Sequence, residues 1–177
     1  MRTLIVSLLA CAALLPAAEP LQPRPFTILR PNAPPLTLAG YRGKLVTLVF
    51  ISTTCPHCQD FTRELLPIAK EYAPRGVQFL ECAVNGDAAG LVEAFSKQFQ
   101  PPFPVGYNTQ SAVDDYLQRS VMLTFYVPHV VFLNRSGSVV GDYPGESDFM
   151  KDPAGSTRAQ LDILLKPAAP AAKKAAK

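Results

Sequence analysis

The chain has little of what marks several common protein classes. Among its 177 residues there is no tryptophan, only two histidines and 18% charged residues, and the formal net charge is +3. Four of the basic residues lie close to the C-terminus (Lys166, Lys173, Lys174 and Lys177). No basic patch interleaved with aromatic residues occurs, so nucleic acid is not an expected partner.

Cysteine is also scarce, and its spacing excludes two kinds of site. A structural zinc centre usually needs four ligands, and the single C-x-x-C at Cys55 and Cys58 supplies two. Covalent haem attachment needs a histidine directly after the second cysteine, where Gln59 is found. Cys82, His57 and His129 are the other side chains that would have to complete a four-ligand set, but the sequence contains no second paired motif. We therefore expect no bound metal and no other cofactor.

What the chain does contain is an apolar run that leads into the two cysteines. Leu45–Ile51 predicts a buried strand, and a helical pattern begins directly behind Cys55-Pro56-His57-Cys58. Two sulfurs at this spacing on the first turn of a helix can form a short disulfide. The helix N-terminus and a protonated His57 favour the thiolate of Cys55. The pattern therefore predicts a redox site, with a structural disulfide as the alternative.

The two ends of the chain differ in composition from the middle. Residues 1–18 resemble a secretory signal, with Arg2 before an apolar run. Lipidation of Cys11 is the alternative, and either would bring the protein out of the cytoplasm, with membrane tethering through the N-terminus as one outcome. Residues 19–25 are rich in proline and predict a linker. Residues 26–166 are expected to form one domain, and residues 167–177 a disordered Ala/Pro/Lys tail.

Apolar periodicity and turn residues predict the elements of the domain. Strands are expected at Phe26–Leu29, Leu36–Leu38, Leu45–Ile51, Val77–Val84, Val130–Leu133 and Ser138–Gly141. Helices are expected from Cys58 to Tyr72 with a kink at Pro67, from Asp87 as cap to Lys97, from Ser111 to Arg119, and from Thr157 to Leu165.

Other segments are expected to be less regular or more deeply buried. Gln100–Val105 is predicted to be an extended connection. Pro153 and Gly155 are predicted to delay the start of the last helix. Ile163 is predicted to dock this helix on the rest of the domain, together with Leu161 and Leu164. Cys82 is expected to be a small buried hydrophobe. The fold class is α/β, with a mixed central sheet flanked by helices.

Several of these motifs together resemble a known fold. Tyr41-Arg42-Gly43-Lys44, the Cys55–Cys58 pair, and Pro128 directly before a strand occur in the order that is typical of thioredoxin-like proteins. The chain resembles the exported TlpA/ResA-like redoxin branch of the thioredoxin superfamily. That resemblance implies a thioredoxin-like fold from about Pro25 to Leu165.

The resemblance also implies roles for individual residues. Cys55 would be the nucleophile and Cys58 the resolving thiol. Val127–Pro128 would be a cis peptide that faces the disulfide, and the main chain of Val127 would pair with an extended substrate. His129 is predicted either to face the active site or to be a solvated strand residue.

The chain departs from the family pattern at three places. Pro56-His57 between the cysteines resembles the DsbA-type disulfide oxidases. Thr54 replaces the usual tryptophan, and Val49 occupies the place where thioredoxins have a buried carboxylate. The sequence thus offers no base for Cys58.

The expected function is that of an exported, periplasmic thiol–disulfide oxidoreductase. Its partners would be cysteine-containing proteins and a membrane or soluble redox partner, and the direction of electron flow is left open. One alternative is a peroxiredoxin-like thiol peroxidase, although Leu48 replaces the proline that such a site needs. Another is a copper-binding thiol chaperone that uses Cys55, Cys58 and a histidine.

Overall fold

The computed structural model describes residues 23–166, so the predicted signal segment, residues 19–22 of the linker and the 167–177 tail lie outside the described residues. The strands are β1 (Thr27–Ile28), β2 (Leu36–Thr37), β3 (Leu45–Ile51), β4 (Val77–Ala83), β5 (Val105–Tyr107), β6 (His129–Leu133) and β7 (Val139–Tyr143). The α-helices are α1 (Pro56–Tyr72), α2 (Ala88–Phe99), α3 (Gln110–Tyr116) and α4 (Pro153–Leu165). Single 3-10 turns lie at Leu38–Tyr41, Ala73–Arg75 and Asp148–Lys151.

The central sheet has five strands in the order β5-β4-β3-β6-β7. Strands β3, β4, β5 and β7 run in one direction, and β6 runs antiparallel to them. β1 and β2 form a separate antiparallel hairpin. This is the thioredoxin-like mixed α/β fold that the sequence predicts.

Two apolar clusters cover the two faces of this sheet. One joins side chains of β3, β4 and β6 to α1, α2 and α4, and we call the sheet surface beneath it the α1 face. The other joins the same three strands to α3 and the N-terminal hairpin, and its sheet surface is the α3 face. Every residue of β3 is buried, because the strand lies in the middle of the sheet with both faces covered.

The end of α1 and the start of β4 follow the prediction closely. The helix runs through Pro67 to Tyr72, and Gly76 then adopts a left-handed conformation (φ 89°) that glycine tolerates best. β4 begins at the next residue. Within residues 23–166, no helix combines the length and the apolar character needed to cross a bilayer.

Three local predictions are wrong, and a fourth holds only in part. The predicted connection Gln100–Val105 leads directly into an unpredicted short edge strand, β5, which pairs with β4. Asp87 occupies the N-cap position of α2, as predicted, but its carboxylate makes no capping hydrogen bond and accepts one from Asn85 Nδ2 at 2.7 Å instead. Pro153 does not delay α4, since it occupies the first helical position, where proline needs no amide partner. Ile163 is 58% exposed, whereas Leu161 is buried.

Candidate active site

The two cysteines of the motif lie at the start of α1, just beyond the carboxyl end of β3. Cys55 is the N-cap residue, with an extended backbone (φ −80°, ψ 120°), and Pro56 begins the helix. Cys55 is partly exposed, Cys58 is fully buried, and both are free thiols. The sequence thus places one reachable sulfur and one protected sulfur one helical turn apart.

The loop before Cys55 is held by side chains that the sequence did not single out. Asn85, in the loop after β4, accepts a hydrogen bond from the Thr53 amide at 3.0 Å and donates one to the Thr53 hydroxyl at 2.9 Å. Gln59 Nε2 donates to the Thr53 carbonyl at 2.9 Å. Thr53 is itself only 6% exposed. These hydrogen bonds fix the approach of the chain to the thiol.

Burial raises the pKa of the Cys58 thiol well above its usual range. The negative charges of Cys55 and Glu81 raise it further, whereas the Ser52 amide, which donates to Cys58 Sγ at 3.4 Å, opposes them. A thiol of this kind remains protonated at neutral pH unless a nearby group accepts its proton.

Glu81 is a buried carboxyl group that can accept the proton of Cys58, and sequence reasoning missed it. It lies on β4 opposite Val49 of β3, so the carboxyl group enters the α1 face from the neighbouring strand. It is fully buried, and burial raises its pKa to about 8. The available signal was a charged residue inside a predominantly apolar strand, because such residues are almost never buried without a partner.

The Thr62 hydroxyl links the Glu81 carboxyl group to the first turn of α1. The Thr62 hydroxyl lies 2.9 Å from Glu81 Oε1 and 2.9 Å from the Cys58 carbonyl oxygen. A hydroxyl has one hydrogen, so Thr62 shares it between these two oxygens while Glu81 is ionised, and it can donate fully to Cys58 when a protonated Glu81 donates to it. Within residues 23–166 the other oxygen of Glu81 has no hydrogen-bond partner. Glu81 is therefore poised to exchange a proton close to Cys58.

A groove lies beside the dithiol, between α1 and the turn before β6. It encloses about 450 Å³. The residues that line it are His57, Asp60, Phe61, Glu64, Val127, Pro128, Gly145, Met150 and Pro153. Three of the predicted site residues thus lie on the same groove, with His57 on one side and Val127 and Pro128 on the other.

The turn on the far side of the groove is closely supported. The Val127–Pro128 peptide bond is cis. Gly145 packs against this turn so tightly that an added Cβ would lie 3.2 Å from the Pro128 carbonyl oxygen. The Gly145 amide also donates to the Tyr126 carbonyl at 3.4 Å. Among the described residues, the main chain of Val127 makes no hydrogen bond and so is available to a ligand.

Both predictions for His129 are wrong. The side chain is fully buried, and it points to the α3 face rather than to the thiols or to solvent. Its ring stacks on Phe125 at a centroid distance of 5.0 Å and meets Phe50 edge-on at 6.2 Å. Its Nε2 is hydrogen-bonded to Asp142. His129 therefore anchors the loop that leads to Val127.

Cys82 is the third cysteine among the described residues, and it lies on the other face of the sheet. Cys82 is fully buried in the apolar cluster of the α3 face, as expected, and burial raises the pKa of its thiol. Across residues 23–166, no three His, Cys, Asp or Glu side chains come together in a way that would hold a metal ion.

Solved structures with the same architecture come from several bacteria. A thioredoxin-family thiol:disulfide interchange protein from Chlorobium tepidum is 21% identical, with 85% of this chain and 99% of that chain covered at a TM-score of 0.69. A secreted disulfide oxidoreductase from Mycobacterium tuberculosis, homologous to E. coli DsbE, is 20% identical (76% and 95% covered, TM-score 0.58). The thioredoxin domain of a Bacteroides vulgatus thiol-disulfide oxidoreductase is 16% identical (82% and 99% covered, TM-score 0.63).

These similarities establish the fold. The comparison with curated proteins finds no significant match. The Redoxin family model matches residues 19–155, which include both cysteines, Glu81 and the Val127–Pro128 turn. A match of that extent, on a thioredoxin-like sheet that carries a dithiol at the start of α1, shows that this chain belongs to the Redoxin family.

Proposed function

We propose that this protein is an exported thiol–disulfide oxidoreductase of the TlpA/ResA-like branch, and that Cys55 and Cys58 are its redox pair. The observation that carries the proposal is the asymmetry of the two thiols. Cys55 is reachable at the N-cap of α1, and Cys58 is fully buried one turn later. This arrangement allows attack from outside at one sulfur and protects the other for the second step.

In the reducing direction the Cys55 thiolate attacks a substrate disulfide. A bond forms between Cys55 and one substrate sulfur, and the other substrate sulfur leaves as a thiolate. The Cys58 thiolate then attacks Cys55, the Cys55–Cys58 disulfide forms, and the first substrate sulfur leaves. The oxidising direction is the reverse, in which a substrate thiolate attacks Cys55 of the disulfide.

Glu81 supplies the proton acceptor that the second step needs. Burial keeps Cys58 protonated, so its proton must leave before the thiolate can attack. The ionised Glu81 carboxylate accepts this proton, and Thr62 then makes both of its hydrogen bonds. In the reverse direction the carboxylic acid returns the proton to Cys58. Glu81 thereby takes the role of the buried carboxylate that thioredoxins have at the position of Val49.

The substrate is a protein segment in extended conformation. The Val127 main chain has no partner among residues 23–166, so an extended chain can pair with it as an added strand. A strand placed there runs along the groove past His57 and Pro128. The other partner is a membrane or soluble redox protein that resets the dithiol.

The alternative function, that of a peroxiredoxin-like thiol peroxidase, has less support. The described site pairs a reachable thiol with a resolving thiol three residues away, and Leu48 lies where a peroxidatic site would have proline. Export is supported by the signal-like residues 1–18 and by the secreted relative from Mycobacterium tuberculosis.

The experiment that tests the proposal traps the mixed disulfide. With Cys58→Ser the second step is blocked, so we expect a covalent complex with a disulfide-bonded substrate protein, linked through Cys55 in mass spectra. Cys55→Ser and Cys82→Ala serve as controls: the first should form no complex, and the second should exchange normally. Exchange that survives Cys55→Ser, or a complex linked through Cys82, would refute the proposal.

A further inference from the structure

The groove beside the dithiol has an apolar floor and an acidic side. Phe61, Met150, Pro128 and Pro153 supply the apolar surface. On α1 the groove is lined by His57, Asp60 and Glu64, whose spacings of three and four residues place them on one face of the helix. The groove is thus shaped for a side chain that has both an apolar stem and a charged head.

The charged groups around the groove are not equally available. Asp60 forms an ion pair with Arg63 at 2.6 Å. Asp152, at the start of α4, accepts a hydrogen bond from the Gly155 amide at 3.0 Å. Glu64 forms no hydrogen bond or ion pair with any residue of the 23–166 range. Of the two carboxylates that line the groove, it is therefore the one that no described side chain neutralises.

The surroundings of Glu64 make a cation favourable there. Partial burial, followed by the negative charges of Asp152 and Asp60, raises the pKa of the Glu64 carboxyl. A cation placed beside Glu64 is therefore favoured by that carboxylate and by the nearby charge of Asp152, whereas Arg63 offsets the charge of Asp60. Besides Asp60 and Glu64, His57 is the one ionisable side chain that lines the groove, and it is the lining residue nearest to Cys55 in sequence.

We propose that this groove selects substrate cysteines that have an arginine or lysine nearby in sequence, with Glu64 as the group that receives the basic side chain. The inference rests on the proposed function, because the groove adjoins the exchanging thiol. Arginine and lysine bury their aliphatic stems against apolar surface and keep the charged head on a carboxylate. Charge complementarity of this kind mainly sets specificity and the rate of association.

The length of α1 indicates where in the substrate the basic residue should lie. Cys55 and Glu64 are nine residues apart, which corresponds to about 13 Å along a helix. An extended chain advances about 3.3 Å per residue. A substrate that lies along the groove with its cysteine at Cys55 therefore brings a side chain about four residues away, or closer if that side chain is long, to Glu64.

The test compares single-turnover exchange with three peptides that differ at one position. Each peptide has a cysteine in a disulfide with a chromophoric thiol, and arginine, alanine or glutamate lies four residues away on either side. We expect the wild type to react about three- to tenfold faster with the arginine peptide than with the glutamate peptide at low salt. High salt should reduce this preference, because the groove is open to solvent.

Variants at Glu64 separate a charge contact from a structural role. Glu64→Gln should reduce the preference below about twofold, and Glu64→Lys should reverse it in favour of the glutamate peptide. Glu93→Lys, on α2 and outside the groove, is the matched control and should leave the preference unchanged. Equal rates with all three peptides, or a preference that persists in Glu64→Lys, would overturn the inference and leave the exchange activity intact. Exchange with none of the peptides would instead refute the proposed function, and this inference with it.

Discussion

Glu81 and Cys82 are neighbours on β4, yet they enter two different environments. Glu81 points to the α1 face, where it meets Thr62 and acts electrostatically on Cys58. Cys82 points to the α3 face, where apolar side chains surround it. Burial raises the pKa of both Cys58 and Cys82, but only Cys58 has an amide donor, a second thiol and a carboxyl group beside it. The comparison teaches that polar partners, rather than burial, distinguish the thiol of the proposed redox pair from the other buried thiol.

The α3 face has buried polar groups of its own, and they serve the structure. His129 is hydrogen-bonded to Asp142, and burial together with the charge of Asp142 raises the pKa of Tyr116. The His129 ring also stacks on Phe125, which lies two residues before Val127. These groups stabilise the loop before β6 but do not reach the thiols.

The largest effect should come from removing the proton acceptor on the α1 face. Glu81→Gln keeps the volume and the hydrogen bond to Thr62 but cannot accept a proton from Cys58. We expect resolution of the mixed disulfide to slow by on the order of 100-fold near neutral pH, since general base catalysis typically contributes at least this much. The wild-type rate should rise as Glu81 ionises, at a pKa of about 8 in the resting protein, and the variant should lack this step.

A second substitution sharpens that test. Val49 pairs with Glu81 across β3 and β4, so Val49→Asp in the Glu81→Gln background returns a carboxylate to the same face of the sheet. We expect the double variant to recover part of the pH-dependent rate in stopped-flow measurements. A wild-type pH profile in Glu81→Gln alone would show that another group takes the proton.

The same carboxyl group should make stability depend on pH. The pKa of Glu81 is raised from 4.5 to about 8, so folding favours its protonated form. The stability that the protonated group provides is complete below the pKa of the unfolded state, 4.5, and is lost as pH rises through the pKa of the folded state, about 8. Between these limits the wild type should lose on the order of a few kcal/mol of unfolding free energy relative to Glu81→Gln. Denaturant titrations of both proteins from pH 5 to about 9 measure the difference, and parallel curves would contradict it.

On the α3 face we expect an effect on stability but none on the exchange rate. His129→Ala removes a buried ring and leaves a cavity beside Phe50 and Phe125, which should cost about 2–4 kcal/mol of unfolding free energy. His129→Phe keeps the aromatic packing, and Asp142 remains partly in solvent. We therefore expect His129→Phe to cost less than His129→Ala and to retain the wild-type exchange rate. A large rate loss in His129→Phe would show that the two faces are functionally coupled.

The sequence predicts the fold well because its strongest patterns are local. The apolar run Leu45–Ile51 matches β3 exactly in its bounds, and the turn Asn134–Gly137 separates β6 from β7 as expected. β5 was missed because three residues at a sheet edge carry too little periodicity to be recognised. The start of α4 was misplaced because proline was taken as a helix breaker, although it fits the first helical turn.

The site was predictable where its residues are adjacent in sequence and not where they meet only through pairing. Cys55, Cys58 and His57 belong to one motif. Glu81 reaches the dithiol through the register of β4 on β3, and Asn85 reaches Thr53 across a loop. His129 was misread because its neighbours on the α3 face come from distant segments. Pairings of this kind cannot be read from spacing along the chain.

The most direct test of the account is the redox equilibrium of the dithiol in glutathione buffers, followed by mass spectrometry of the thiol-alkylated protein. The account predicts one reversible two-electron transition that joins Cys55 to Cys58 and is unchanged in Cys82→Ala. A midpoint well above that of thioredoxin would indicate a disulfide donor, and one near or below it a reductant. Failure of Cys55 and Cys58 to form a disulfide, or their separate glutathionylation at every buffer ratio, would contradict the central claim.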